Sequence, residues 1–119
     1  MDDPPYDIAE RSALFADRCI EASFAMPDNG VAWELQRQFV RASASIGANL
    51  AEAKGVLTKR DFSHKVSLSL KEAHETLFWL RRITNARLIP LESTSGLIGE
   101  ADELIRILTA ILKRARSNE

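Results

Sequence analysis

Residues 41 to 52 read Arg-Ala-Ser-Ala-Ser-Ile-Gly-Ala-Asn-Leu-Ala-Glu, and seven of these positions carry nothing larger than serine. The stretch ends a longer amphipathic pattern of helical period. Ala42, Ser43, Ala44, Ser45, Gly47, Ala48 and Ala51 leave no bulk on any face, so other helix axes can come nearer than the usual spacing of about 8–10 Å. That constraint predicts an α-helical bundle with close crossings, one that associates with itself. It is a statement about packing and does not name a chemistry.

The rest of the 119-residue chain agrees with one helical domain over residues 1–119. Four segments repeat apolar residues every three or four positions, predicting helices over about 6–25, 31–53, 60–87 and 95–116. The first follows Pro4-Pro5 and carries Ile8, Ser12, Phe15, Cys19 and Ala22, then stops at Met26-Pro-Asp-Asn-Gly30. The second places Leu35, Phe39, Ala42, Ile46, Asn49, Leu50 and Ala53 on one face, with Gly55 as its stop signal. The third has the stripe Phe62, Val66, Leu70, Ala73, Leu77, Leu80 and Ile83 and is expected to end near Pro90, which cannot continue a helix. The fourth carries Leu97, Ala101, Leu104, Leu108, Ile111 and Ala115. Helices of this length joined by short loops favour an all-α, antiparallel, up-down-up-down four-helix bundle. Helices exchanged between protomers are the alternative.

Composition excludes several classes. With 45% apolar and 28% charged residues the chain is neither disordered nor fibrous. Its apolar runs are too short to span a membrane, and Met-Asp-Asp-Pro-Pro lacks the apolar segment of a secretory signal; a cytoplasmic location is the default expectation. The one cysteine, Cys19, lies on an apolar helical face, where a small core residue is expected rather than a nucleophile.

The net charge of −1 hides a gradient. Residues 1–34 hold eight acids and two bases, residues 35–91 ten bases and four acids, and residues 92–119 four bases and five acids. An acidic first helix beside a basic middle can neutralise itself within the bundle, bind a second copy, or show a basic patch to an anionic partner.

Some polar and aromatic residues exceed what a plain bundle needs. Asn49 falls on the core stripe of the second helix, where an amide needs partners. Glu52 and Glu75 with a base such as Arg60 or Arg41 would satisfy it in a shared network fixing the register of the second and third helices. The third helix also has an outer stripe of Leu68, Glu72, Glu75, Trp79 and Arg82. Phe78 and Trp79 cannot both join Leu77 and Leu80 in one core, so one aromatic is expected outside; Trp79 beside Arg82 reads as an interface anchor. Trp33 carries the same ambiguity.

Catalytic patterns are missing. A di-iron bundle needs Glu-x-x-His pairs on two helices, whereas Glu72-Ala-His-Glu75 puts His74 at the wrong offset and His64 shares its helix. There is no phosphate-binding glycine loop and no Ser-His-Asp or Cys-His pairing. No enzyme activity, metal or cofactor is expected.

Arg41 to Glu52, then Lys59-Arg-Asp-Phe62, then Leu70-Lys-Glu-Ala-His-Glu-Thr-Leu-Phe-Trp-Leu80 resemble the four-helix bundle family named for the intervening-sequence protein of 23S ribosomal RNA. The likeness is close over about residues 35–90. It implies four antiparallel helices assembled as a ring-shaped homopentamer, related to the accessory variability determinant of diversity-generating retroelements, which binds nucleic acid and a reverse transcriptase. Members in that role are strongly basic, and this chain, with a pI near 6.1, departs from them. Two functional readings follow. One is a non-enzymatic homo-oligomeric scaffold with a protein partner. The other is an RNA- or DNA-binding accessory protein using Arg37, Arg41, Lys54, Lys59, Arg60, Lys65 and Arg82.

Overall fold

Each helix begins where a short polar side chain or a proline frees the chain to turn. In the computed structural model, which describes residues 7–118, Asp7 Oδ1 accepts hydrogen bonds from the amides of Ala9 and Glu10 and starts α1 (Ile8–Ser23). Asn29 Oδ1 accepts from the Ala32 amide to start α2 (Gly30–Ala53), and Thr58 Oγ1 accepts from the Asp61 amide to start α3 (Lys59–Asn85). The fourth helix, α4 (Leu91–Ser117), has no side-chain cap and begins directly after Pro90.

The junction of α3 and α4 ends the third helix two residues before the expected bound of about 87, and for a reason other than Pro90. α3 stops at Asn85 because Arg87 turns into the left-handed region at φ 59°. The Leu88 amide then reaches back to the Ile83 carbonyl at 3.1 Å and the Arg87 amide to Thr84 at 3.0 Å. This is a Schellman closure, with arginine where glycine is the usual choice. Pro90 instead initiates α4, whose first residue is four positions earlier than the pattern of Leu97 and Ala101 indicates. The loop between them also supplies a core residue, Ile89, that no helical period could reveal.

The apolar stripes converge on one core. Phe15 and Cys19 of α1, Phe39 and Ile46 of α2, Val66, Leu80 and Ile83 of α3, and Leu104 and Leu108 of α4 are all buried. Helices adjacent in sequence pack together, and α1 also meets α4 along a smaller contact. The Cα envelope is correspondingly flat, 46 × 30 × 19 Å. Arg11 clamps that smaller seam with two hydrogen bonds to Glu100, at 2.7 and 2.9 Å.

The small-residue stretch lies where α1 and α2 come closest. A Cβ added to Gly47 would stand 3.3 Å from the Ala13 backbone nitrogen and 3.5 Å from the Ser12 carbonyl carbon. Ser43 is buried in the same helix, and one turn beyond it Ser69 of α3 donates to the Ile46 carbonyl at 2.8 Å. Small side chains thus let α2 touch α1 on one side and take a hydrogen bond from α3 on the other.

Candidate interaction surfaces

The polar groups of α2 and α3 separate into three local pairings rather than one network. Asn49 lies at the flank of the α2 stripe, half-buried, and its Nδ2 donates to the Ser45 carbonyl of its own helix at 2.8 Å. Glu52 pairs with Lys65. Glu75 accepts from Arg41 and, at 3.1 Å, from Trp79 Nε1. Arg60 joins none of them. The physical reason is the 3.6-residue period, which turns the helix by about 100° per residue. Phe39, Ser43, Ile46 and Leu50, all buried, centre on a direction about 70° to one side of Ala42, whereas Asn49 falls about 20° to its other side. The amide is therefore carried to the edge of the stripe, where its own helix supplies an acceptor.

The cluster of Arg41, Glu72, Glu75 and Trp79 ties α2 to α3. Arg41 Nη1 lies 3.4 Å from Glu72 and its Nη2 contacts Glu75. The Trp79 indole N–H, together with the Arg41 guanidinium, holds the Glu75 carboxyl below its ordinary value against the opposing effect of partial burial. Trp79 itself is half-buried and packs on the core. The exposed aromatic of the pair is Phe78, 49% accessible, which corrects the assignment of the outer position to Trp79. The Phe78 and Trp79 rings meet edge to face at 5.0 Å, and the Arg82 guanidinium lies 5.0 Å from the Phe78 centroid. Leu68, the first residue of the expected outer stripe, is half-buried.

Four of the predicted basic residues are engaged with carboxylates within the chain. Arg37 pairs with Glu34 at 3.3 Å, Lys54 with Asp7 at 2.7 Å, Lys65 with Glu52, and Arg41 with Glu72 and Glu75. The Lys54 ammonium holds the Asp7 carboxyl below its ordinary value. Of the predicted set on α2 and the start of α3, only Lys59 and Arg60 have no carboxylate partner among the described residues; Lys59 Nζ donates instead to the Asn118 carbonyl at 3.3 Å.

That hydrogen bond brings the start of α3 to the end of α4 and reveals a site that segment-by-segment charge counting hides. Lys113, Arg114 and Arg116 crowd the last turns of α4, while Glu92, Glu100, Asp102 and Glu103 occupy its first half. Their charges cancel in a sum over the segment but stand apart in space, as the helix dipole favours. The ordering of signs along the fourth helix was the available signal. Between α4, α3 and the α2–α3 turn lies an open cleft of about 480 Å³, with Ala53, Val56, Leu57, Phe62, Ile111 and Ala115 as its apolar walls and Lys59 and Arg114 as its cations.

A second apolar surface lies around the α1–α2 turn, where Phe24, Val31 and Trp33 are exposed. The Trp33 indole N–H is fixed by Asp28 at 2.9 Å. Among the described residues no group of three His, Cys, Asp or Glu side chains is placed to hold a metal ion, and no helix is long and apolar enough to cross a membrane.

The family model for the 23S rRNA-intervening sequence protein matches residues 5–110. The chain belongs to that family. The intervening-sequence protein fold is also seen in a crystal structure at 1.70 Å resolution of a protein with unknown function from the S23 ribosomal protein family of Bacteroides thetaiotaomicron VPI-5482. It superposes with a TM-score of 0.83 at 28% identity, covering 90% of this chain and 99% of that one. No curated protein matches. This intervening-sequence family protein thus shares its overall four-helix fold with that structure.

Proposed function

We propose that this intervening-sequence family protein is a non-enzymatic, homo-oligomeric scaffold that engages a protein partner, its helices running up-down-up-down and its subunits closing the five-membered ring that the resemblance implies. The antiparallel course is supported by Asp7 meeting Lys54, Glu52 meeting Lys65, and Lys59 meeting Asn118, each linking the start of one helix to the end of another. The observation that carries the reading is Phe78. An aromatic side chain half exposed in mid-helix, braced by Trp79 and Arg82, has little rotational freedom left to lose on binding. Native mass spectrometry tests it. The wild type should appear as an oligomer, and Phe78→Asp should shift the mass to the monomer with far-ultraviolet circular dichroism unchanged. A wild-type monomer at tens of micromolar would overturn the reading.

The alternative, an RNA- or DNA-associated accessory role, is favoured by the bases without carboxylate partners where α3 begins and α4 ends. It rests on Lys59, Arg60 and Arg114 rather than on Arg37, Arg41, Lys54 and Lys65, which are neutralised within the chain. Retention on nucleic acid should then fall steeply between about 50 and 200 mM salt as counterions are released. Salt-independent retention would reject it.

A further inference from the structure

We propose that the cleft between the α2–α3 turn and the last turns of α4 is a binding site for an amphipathic anion: an alkyl or aryl group carrying one carboxylate or sulfonate. Its volume of about 480 Å³ lies within the range of about 300–1,000 Å³ usual for small-molecule sites. The walls supply the apolar half of the recognition. Phe62 and Ile111 are only half-buried, and Leu57 stands 98% exposed on the turn above them, so apolar surface is left facing water. Covering it with an alkyl or aryl group releases that water at a gain of about 25 cal/mol per Å².

The cations supply the other half. Lys59 and Arg114 both line the cleft, and neither has a carboxylate partner among the described residues, in contrast to the lysines at 54 and 65 beside them. Lys59 is held at the rim by its hydrogen bond to the Asn118 carbonyl, which leaves its other two ammonium protons available. Arg60, Lys113 and Arg116 add to the positive field without lining the cleft. A polyanion such as nucleic acid would use those charges but not the apolar walls; a neutral oil would use the walls but not the charges. Only a ligand with both halves is complementary to the whole site. The inference stands apart from self-association, since Phe78 does not line the cleft.

The test uses the full chain and 1-anilinonaphthalene-8-sulfonate, whose emission rises on entering an apolar site. Saturable binding should be displaced by dodecanoate, and much less by neutral dodecyl maltoside or inorganic phosphate. The double variant Lys59→Glu, Arg114→Glu should bind about tenfold more weakly, and Leu57→Asp should also weaken binding, while Arg81→Glu, exposed near the other end of α3, stays within about twofold of wild type. Circular dichroism on each sample confirms that the helices persist, and Leu57, being fully exposed, can change without loss of packing. Displacement by phosphate or by the neutral detergent as strong as by dodecanoate would overturn the proposal. So would unchanged affinity in the double variant.

Discussion

Replacing Gly47 by alanine sets two effects of known sign against each other. Glycine inside a helix costs about 1 kcal/mol relative to alanine, so propensity alone favours the substitution. The new methyl, however, would stand 3.3 Å from the Ala13 nitrogen and 3.6 Å from its Cα. These are backbone atoms and cannot rotate aside, so α1 must shift by a few tenths of an ångström. Phe15 and Cys19, on the same helix, are fully packed, and overpacking of this kind costs about 1–3 kcal/mol. The smaller α1–α4 seam gives α1 some room to yield, which places the cost near the middle of that range, at about 1.5–2 kcal/mol. Gly47→Ala should therefore be about 0.5–1 kcal/mol less stable than wild type. Gly99→Ala is the matched control: it is also a helix interior, with nothing within 4 Å of the new Cβ, and should gain about 1 kcal/mol. The two melting temperatures, followed by circular dichroism at one fixed protein concentration, should differ by about 6–8 °C. If Gly47→Ala instead rises in step with Gly99→Ala, the close crossing does not require glycine and the reasoning fails.

Arg87→Gly should stabilise the protein by about 1 kcal/mol, because the left-handed residue closing α3 bears a Cβ penalty that glycine lacks; an unchanged or lower urea midpoint would contradict this. The Glu75 carboxyl titrates below its ordinary value of 4.5, so its contribution is fully present above that pH and is lost as the pH falls through its depressed value. Glu75→Gln should accordingly flatten the decline of the urea midpoint as the pH falls below 4.5, and an equally steep decline would rule out its role. Burial pushes the Cys19 thiol up to about 12, with the Ser43 hydroxyl opposing only in part. The native protein should therefore not react with a disulfide reagent near pH 8, and denaturant should release one thiol per chain.

Helix number and core composition were legible because burial repeats at a fixed period. Phe15, Phe39, Ile46, Leu80 and Leu104 all lie on stripes visible in the bare sequence, and all are buried. What the period could not show was where α3 ends. A left-handed arginine leaves no mark that distinguishes it from a helical one, so Pro90, the conspicuous residue, drew the boundary to itself. Phe78 and Trp79 exchanged roles for a related reason. They are one position apart, about 100° around the helix, and the indole N–H settles the matter by finding Glu75, which draws Trp79 toward the α2 seam and turns Phe78 outward.

Charge was the least legible property, because it adds along the chain but acts across space. The acidic start and basic middle look like a dipole able to reach another molecule. In the fold, Asp7 meets Lys54, Glu52 meets Lys65, and Glu72 with Glu75 meets Arg41, so much of that dipole is neutralised inside one chain. Exposed pairs of this kind contribute little to stability, yet they occupy Arg41, Lys54 and Lys65 within the chain. Of the cations without a carboxylate partner among the described residues, Lys59 and Arg60 from the middle and Arg114 from a helix with no net excess of bases are brought together at one end, while Lys71, Arg81, Arg82 and Arg87 lie further along α3 and its closing turn. A partner that reads charge finds Lys59, Arg60 and Arg114 gathered where α3 begins and α4 stops, and a partner that reads apolar surface meets Phe78 or the α1–α2 turn.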